Sequence, residues 1–122
     1  GTQKYLETAT QNLFGNHFKQ QHPEIIHTVM ESASDISKEA MMQFVFAMRN
    51  RKAHTHLLQQ RRIPIWMIVG KEDIAVPIED SLQQTALLPQ ESVLILDGVG
   101  HMGMLEATKQ VNEALFQFIE NT

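Results

Sequence analysis

The sequence predicts an α/β fold in which two parallel strands with flanking helices follow an all-helical segment. Three observations lead there. Two apolar runs of strand length, Ile63 to Val69 and Val93 to Leu96, are rich in β-branched residues and bounded by glycine. Such runs read as strands buried on both faces, as in parallel sheets. Each run leads through a loop into a helical pattern, so the order is strand, loop, helix, strand, loop, helix. Everything before Ile63 carries only helical periodicity. In sheets of this kind the loops at the carboxyl ends of the strands carry the chemistry, and Asp73 and His101 sit on those two loops.

The elements follow in order. Residues 2 to 20 are helical in pattern, with Leu6, Ala9 and Leu13 on one side, and Gly15-Asn16 weakens the stretch near its middle, which leaves one interrupted helix or two shorter ones. His22-Pro23-Glu24 starts the next helix, because proline is tolerated where the first amide has no partner and glutamate suits the positive end of the dipole. Ile25, Ile26, Val29, Met30 and Ala33 then recur at helical spacing. Ser37 is placed to cap a helix that sets Met41, Phe44, Val45 and Met48 at i, i+3, i+4 and i+7, an amphipathic face. That helix ends near Asn50. A short helix through Leu57-Leu58 and the pair Arg61-Arg62 lead into the first strand, where Trp66 reads as core.

After Asp73, a helix is expected from about Glu79, with Leu82, Ala86 and Leu87 inward and Pro89 as its stop. The last helix is expected from Met104 to Ile119, with Thr108, Val111, Leu115, Phe118 and Ile119 on one face. Two strands alone leave sheet edges unpaired. A missing N-terminal half or a homodimer is expected to cover them.

Composition narrows the function. Hydrophobic residues make up 43% and charged residues 20%, ordinary values for a globular chain. The net charge of −4 lacks the basic footprint of a nucleic-acid binder. No apolar run approaches the roughly 18 residues of a membrane span, and the first residues show no signal peptide. The absence of cysteine removes disulfides and thiolate metal sites and fits a cytoplasmic protein. No metal and no cofactor is implied; the expected partner is a small-molecule substrate.

Two motifs carry a resemblance. The first is Pro64, a strand to Val69, then Gly70, Asp73 and Val76-Pro77. The second is Gly98, Gly100-His101 and, five residues on, Glu106. In this order and spacing they resemble the C-terminal part of an α/β-hydrolase. The resemblance covers residues 61 to 121 well and Met48 to Lys52, as the end of a helical cap, more loosely. It implies that residues 1–60 form a cap or lid segment and 61–122 the C-terminal part of the core. It also implies that Asp73 is the acid and His101 the base of a catalytic triad.

The family's nucleophile lies on a Gly-x-Ser-x-Gly elbow ahead of the acid and the histidine. The serines here are Ser32, Ser34, Ser37, Ser81 and Ser92, and none lies in that motif. A whole α/β-hydrolase needs roughly twice this length. The resemblance therefore implies a C-terminal fragment of a serine-type hydrolase acting on a small carboxylic ester or related acyl substrate. The full-length protein is expected to be esterase-like and the 122-residue chain alone inactive. A non-catalytic binding module, or a half-protein that pairs with another chain, is the alternative.

The chemistry needs these residue types. A serine hydroxyl is a weak nucleophile at neutral pH and needs a neutral imidazole to take its proton. A carboxylate holds that imidazole in the right tautomer by accepting its other N–H. Glu72 competes with Asp73 by adjacency, and Glu106 reads as a helix-start residue complementing the dipole. The remaining histidines lack metal-site spacing: His17, His22 and His27 are five apart, and His54 and His56 two apart. Arg49, Arg51, Lys52, Arg61 and Arg62 form a local basic cluster that reads as a solvated face.

Overall fold

The computed structural model describes residues 1–122. Helices α1 (Thr2–Asn12), α2 (Asn16–Gln21) and α3 (Pro23–Ala33) come first, then α4 (Lys38–Asn50) and the short α5 (His56–Gln60). Strand β1 (Met67–Gly70) leads to α6 (Ile78–Thr85), and a 3-10 turn at Gln90–Ser92 opens β2 (Val93–Leu96). Helices α7 (Gly103–Glu106) and α8 (Thr108–Glu120) complete the chain. The two strands pair in parallel from Met67 opposite Val93 to Gly70 opposite Leu96. No helix is long and apolar enough to cross a membrane.

β1 is shorter than the apolar run that contains it. β2 begins only at Val93, after the 3-10 turn, so nothing opposes Ile63 to Trp66, and Pro64 has no amide to donate. The strands are not buried on both faces either. Val69 and Leu96 are buried, but Ile68 and Ile95 remain 36% and 38% exposed, because the helices of this chain do not cover the whole sheet.

The core is two small clusters. Leu96, Val99 and Val111 form one, joining β2, the histidine loop and α8. Phe14, Phe18 and Ile26 form the other, with the rings of Phe14 and Phe18 stacked at 5.5 Å. Met102 packs against this second cluster. The start of the helical segment is therefore seated on the loop that carries His101.

Several helical faces differ from those the periodicity predicts. The break at Gly15-Asn16 holds: α1 stops at Asn12 and α2 begins at Asn16. On α6 the buried residues are Ser81 and Thr85, while Leu82 is 44% exposed. Those two sit at i and i+4, and this phase is set by where the helix meets the sheet rather than by its leucine. Val111 and Ala114 are the buried residues of α8, and Leu115 and Ile119 face solvent. Trp66 is half-buried against Phe118, ring centroids 5.6 Å apart.

Helix α4 forms as its spacing predicts, but buries nothing. Phe44 and Met48 are 63% and 67% exposed. Its N-terminus is held by Ser37, whose hydroxyl accepts the Ala40 amide at 3.1 Å. Ser37→Ala is expected to weaken this helix by about 1 kcal/mol. Because α4 lies outside both clusters, the change should appear as lost helical circular dichroism with the cooperative unfolding midpoint nearly unchanged. A midpoint lower by several degrees would mean that α4 belongs to the cooperative core.

Candidate active site

The loop after β1 is built to present one carboxylate oxygen. Lys71 donates its amide to the Leu96 carbonyl at 3.0 Å and Glu72 donates to Val99 at 2.8 Å, tying the loop to the end of β2. Gly70 makes this approach feasible, since a Cβ there would collide with the Val99 and Gly100 carbonyls. Asp73 then folds back on its own loop. Its Oδ1 accepts the amides of Ala75 and Val76, both at 2.9 Å, a turn that fixes the carboxylate plane. Oδ2 is left for a partner.

That partner is His101. Its Nδ1 lies 2.7 Å from Asp73 Oδ2. An ionised carboxylate can only accept, so Nδ1 donates and Nε2 carries the free lone pair of the neutral ring. No protein group bonds to Nε2. The Asp73 side chain is 10% exposed and that of His101 41%, so the acid is sheltered and the imidazole open.

The histidine loop is pinned at each step. Gly98 has φ 69°, a left-handed conformation that glycine adopts without strain. Gly100 packs against the α1–α2 turn, where a Cβ would lie 2.7 Å from Gly15 N and 2.8 Å from the Phe14 carbonyl carbon. Gly103, by contrast, has only ordinary contacts around it. His101 donates its own amide to the Leu13 carbonyl at 2.8 Å.

Glu106 does lie in the first turn of a helix, the single turn of α7, and accepts the amide of the residue before that turn, but it holds more than that helix start. It is the last residue of α7, and its carboxylate turns back to accept amides from Gly15 at 2.7 Å, Gly100 at 3.1 Å and Met102 at 3.1 Å. Glu72 does not compete for the imidazole. It accepts the Asn16 amide at 2.8 Å. Sequence reasoning missed these links and Gly15 with them. The Gly-His-x-x-x-x-Glu spacing singled out Glu106 without showing what it holds, and Gly15 looked only like a helix break.

Asp73 and His101 line a cavity of about 290 Å³ together with Gly100, Met104 and Ser81. Ser81 makes no hydrogen bond to His101. A larger groove of about 630 Å³ is lined by Arg51, Lys52, His54, Leu58 and Arg62 and shares no residue with the histidine cavity. Elsewhere His22 pairs with Glu24 and His27 with Glu31, both at 3.2 Å. Nowhere do three or more metal-ligating side chains converge.

Neither a family model nor a curated protein matches this sequence. Its structure does match solved ones. It is similar to an esterase from Thermogutta terrifontis, at 21% identity and a TM-score of 0.84, over 96% of this chain and 43% of that one. It is also similar to a serine hydrolase involved in carbazole degradation, at 19% identity and a TM-score of 0.72, over 98% of this chain and 48% of that one. A third is an α/β hydrolase from a Medee basin deep-sea metagenome library, at 13% identity and a TM-score of 0.73, over 98% and 50%. The chain thus spans about half the length of the structures it matches. Its two parallel strands, their helices and the helical segment before them match part of an α/β-hydrolase fold.

Proposed function

We propose that this chain carries the acid and the base of a serine-type α/β-hydrolase that acts on a small carboxylic ester or related acyl substrate. The observation that carries the reading is the 2.7 Å contact between His101 Nδ1 and Asp73 Oδ2, with Nε2 left unpaired. In this reading His101 is the general base. Nε2 takes the proton from a serine hydroxyl as the hydroxyl attacks the acyl carbonyl, then returns it to the leaving alkoxide. Asp73 accepts the Nδ1 proton's hydrogen bond throughout, holding the tautomer and stabilising the imidazolium that forms. Water then repeats the cycle on the acyl-enzyme with the same imidazole as base.

The nucleophile and the oxyanion donors would be contributed from outside these 122 residues. The helical segment 1–60 is read as the cap and 61–122 as core. The cavity beside His101 is apolar on several sides and of a size for a small acyl group.

The test is hydrolysis of p-nitrophenyl acetate and butyrate by the full-length protein and by the 122-residue chain. Turnover by the full-length protein, absent from the chain alone, supports the reading. No turnover of either ester by the full-length protein, with no serine acylated, would favour a hydrolase-like binding module, the alternative that the missing elbow motif suggests. Ser81 lines the cavity, and Ser81→Ala is expected to leave turnover within about twofold. A loss of several orders of magnitude would make Ser81 the nucleophile instead.

A further inference from the structure

We infer that Glu106 and Glu72 are positioning residues, which use the turn between α1 and α2 as a brace to hold the His101 and Asp73 loops in register. This rests on the proposed roles of Asp73 and His101 and adds what keeps them aligned. Each of the two loops carries its own bracing carboxylate. Glu72 immediately precedes Asp73 in the chain, and Glu106 lies on the short helix that follows His101. The two carboxylates take consecutive amides of the same turn, Gly15 on Glu106 and Asn16 on Glu72.

The brace acts on the imidazole through the backbone. Gly100 and Met102, the residues on either side of His101, both donate their amides to Glu106, and His101 itself donates to Leu13. Three successive amides are therefore fixed, all within the small region where Leu13, Phe14 and Gly15 meet the loop. Phe14 is 2% exposed, so the turn that receives these bonds is itself anchored in a core cluster. Gly15 and Gly100 are what let the two backbones come this close. A Cβ on Gly15 would lie 2.7 Å from the Gly98 carbonyl oxygen and 2.9 Å from the Glu72 carboxylate.

A carboxylate suits the position because it only accepts. Glutamine has nearly the same shape, but one end of its amide donates, so at least one of the Gly15, Gly100 and Met102 amides would face a donor. The loop would then shift, and the His101 ring with it, while the rest of the fold has no reason to change.

The experiment is Glu106→Gln and Glu72→Ala in the full-length protein, with Glu113→Gln on the exposed face of α8 as control. Two readouts are taken well below the melting midpoint: kcat and KM on p-nitrophenyl butyrate, and the low-field proton resonance of His101 Nδ1–H. Glu106→Gln is expected to lower kcat by about 100-fold with KM within about threefold, the size of effect that a misplacement near 1 Å produces. The Nδ1–H resonance should broaden or shift in the same variant, and Glu72→Ala, which removes the only acceptor of the Asn16 amide, should do both to a smaller degree. Wild-type kcat and an unmoved resonance in a folded Glu106→Gln protein would overturn the inference. So would a lowered melting point alone, with both site readouts unchanged. Should Glu106→Gln fail to fold, Glu72→Ala decides by the same two readouts. If the wild-type protein hydrolyses no ester, the proposed function fails, and the brace is then judged on the resonance alone.

Discussion

His101→Ala and Asp73→Asn in the full-length protein are expected to lower kcat on a small ester by roughly 1,000- to 10,000-fold each. The two act by different routes. Alanine removes the proposed base outright. Asparagine keeps an oxygen where Oδ1 accepts the Ala75 and Val76 amides, so the turn survives, but it presents an N–H toward Nδ1. The imidazole then shifts its proton to Nε2, the atom that must be free to act as base. Stability should move little, by about 1 kcal/mol, since the asparagine can still bond to the ring and the ring is 41% exposed. The two substitutions should also be far from additive, because residues that work as a unit lose most of their effect with the first removal. Kinetics on the two single variants and the double variant check this. Near-native turnover in either single variant would remove its residue from the mechanism.

Gly70→Ala is expected to be the most crowded of the glycine-to-alanine changes and to destabilise by about 3 kcal/mol, the upper part of the range for overpacking a tight site. The added Cβ meets the Val99 and Gly100 carbonyls, which are backbone and cannot rotate away. Relief requires the histidine loop to move off the end of β1. The bonds from Lys71 to Leu96 and from Glu72 to Val99 lie directly beside the clash, so the Asp73 loop would move too. Gly103→Ala is the matched control: its nearest neighbours are side-chain methyls at 3.5 Å and beyond, an ordinary contact distance. Urea unfolding of both variants tests the contrast. Equal midpoints would mean that the close approach at Gly70 is not rigid.

Much of this was legible in the sequence, for identifiable reasons. Val93 to Leu96 is bounded by turn residues, and β2 spans those same four residues. Asp73 and His101 stand out because Gly-x-x-Asp after the first strand and Gly-x-Gly-His after the second resemble the α/β-hydrolase pattern; spacing alone leaves Asp73 a solvated loop acid. The Ser37 cap and the break at Gly15 were visible because both depend on local chemistry. What stayed hidden depends on distant segments. The start of β1 at Met67 is set by where β2 begins, not by the apolar run itself. The phase of α6 is set by its seat on the sheet, so Ser81 is buried and Leu82 is not. The bond from Gly15 to Glu106 joins residues 91 positions apart, and no periodicity reports it. The amphipathic face of α4 was read correctly as a pattern, but a pattern does not supply a partner, and Phe44 and Met48 remain exposed.

In the proposed mechanism Asp73 and His101 serve a serine that these 122 residues do not contain. The most direct test is to treat the full-length protein with a fluorophosphonate and map the adduct by mass spectrometry, beside His101→Ala. A single phosphonylated serine outside the 122-residue chain is expected, labelled far more slowly in the variant. An adduct on Ser81, or labelling that does not depend on His101, would contradict it.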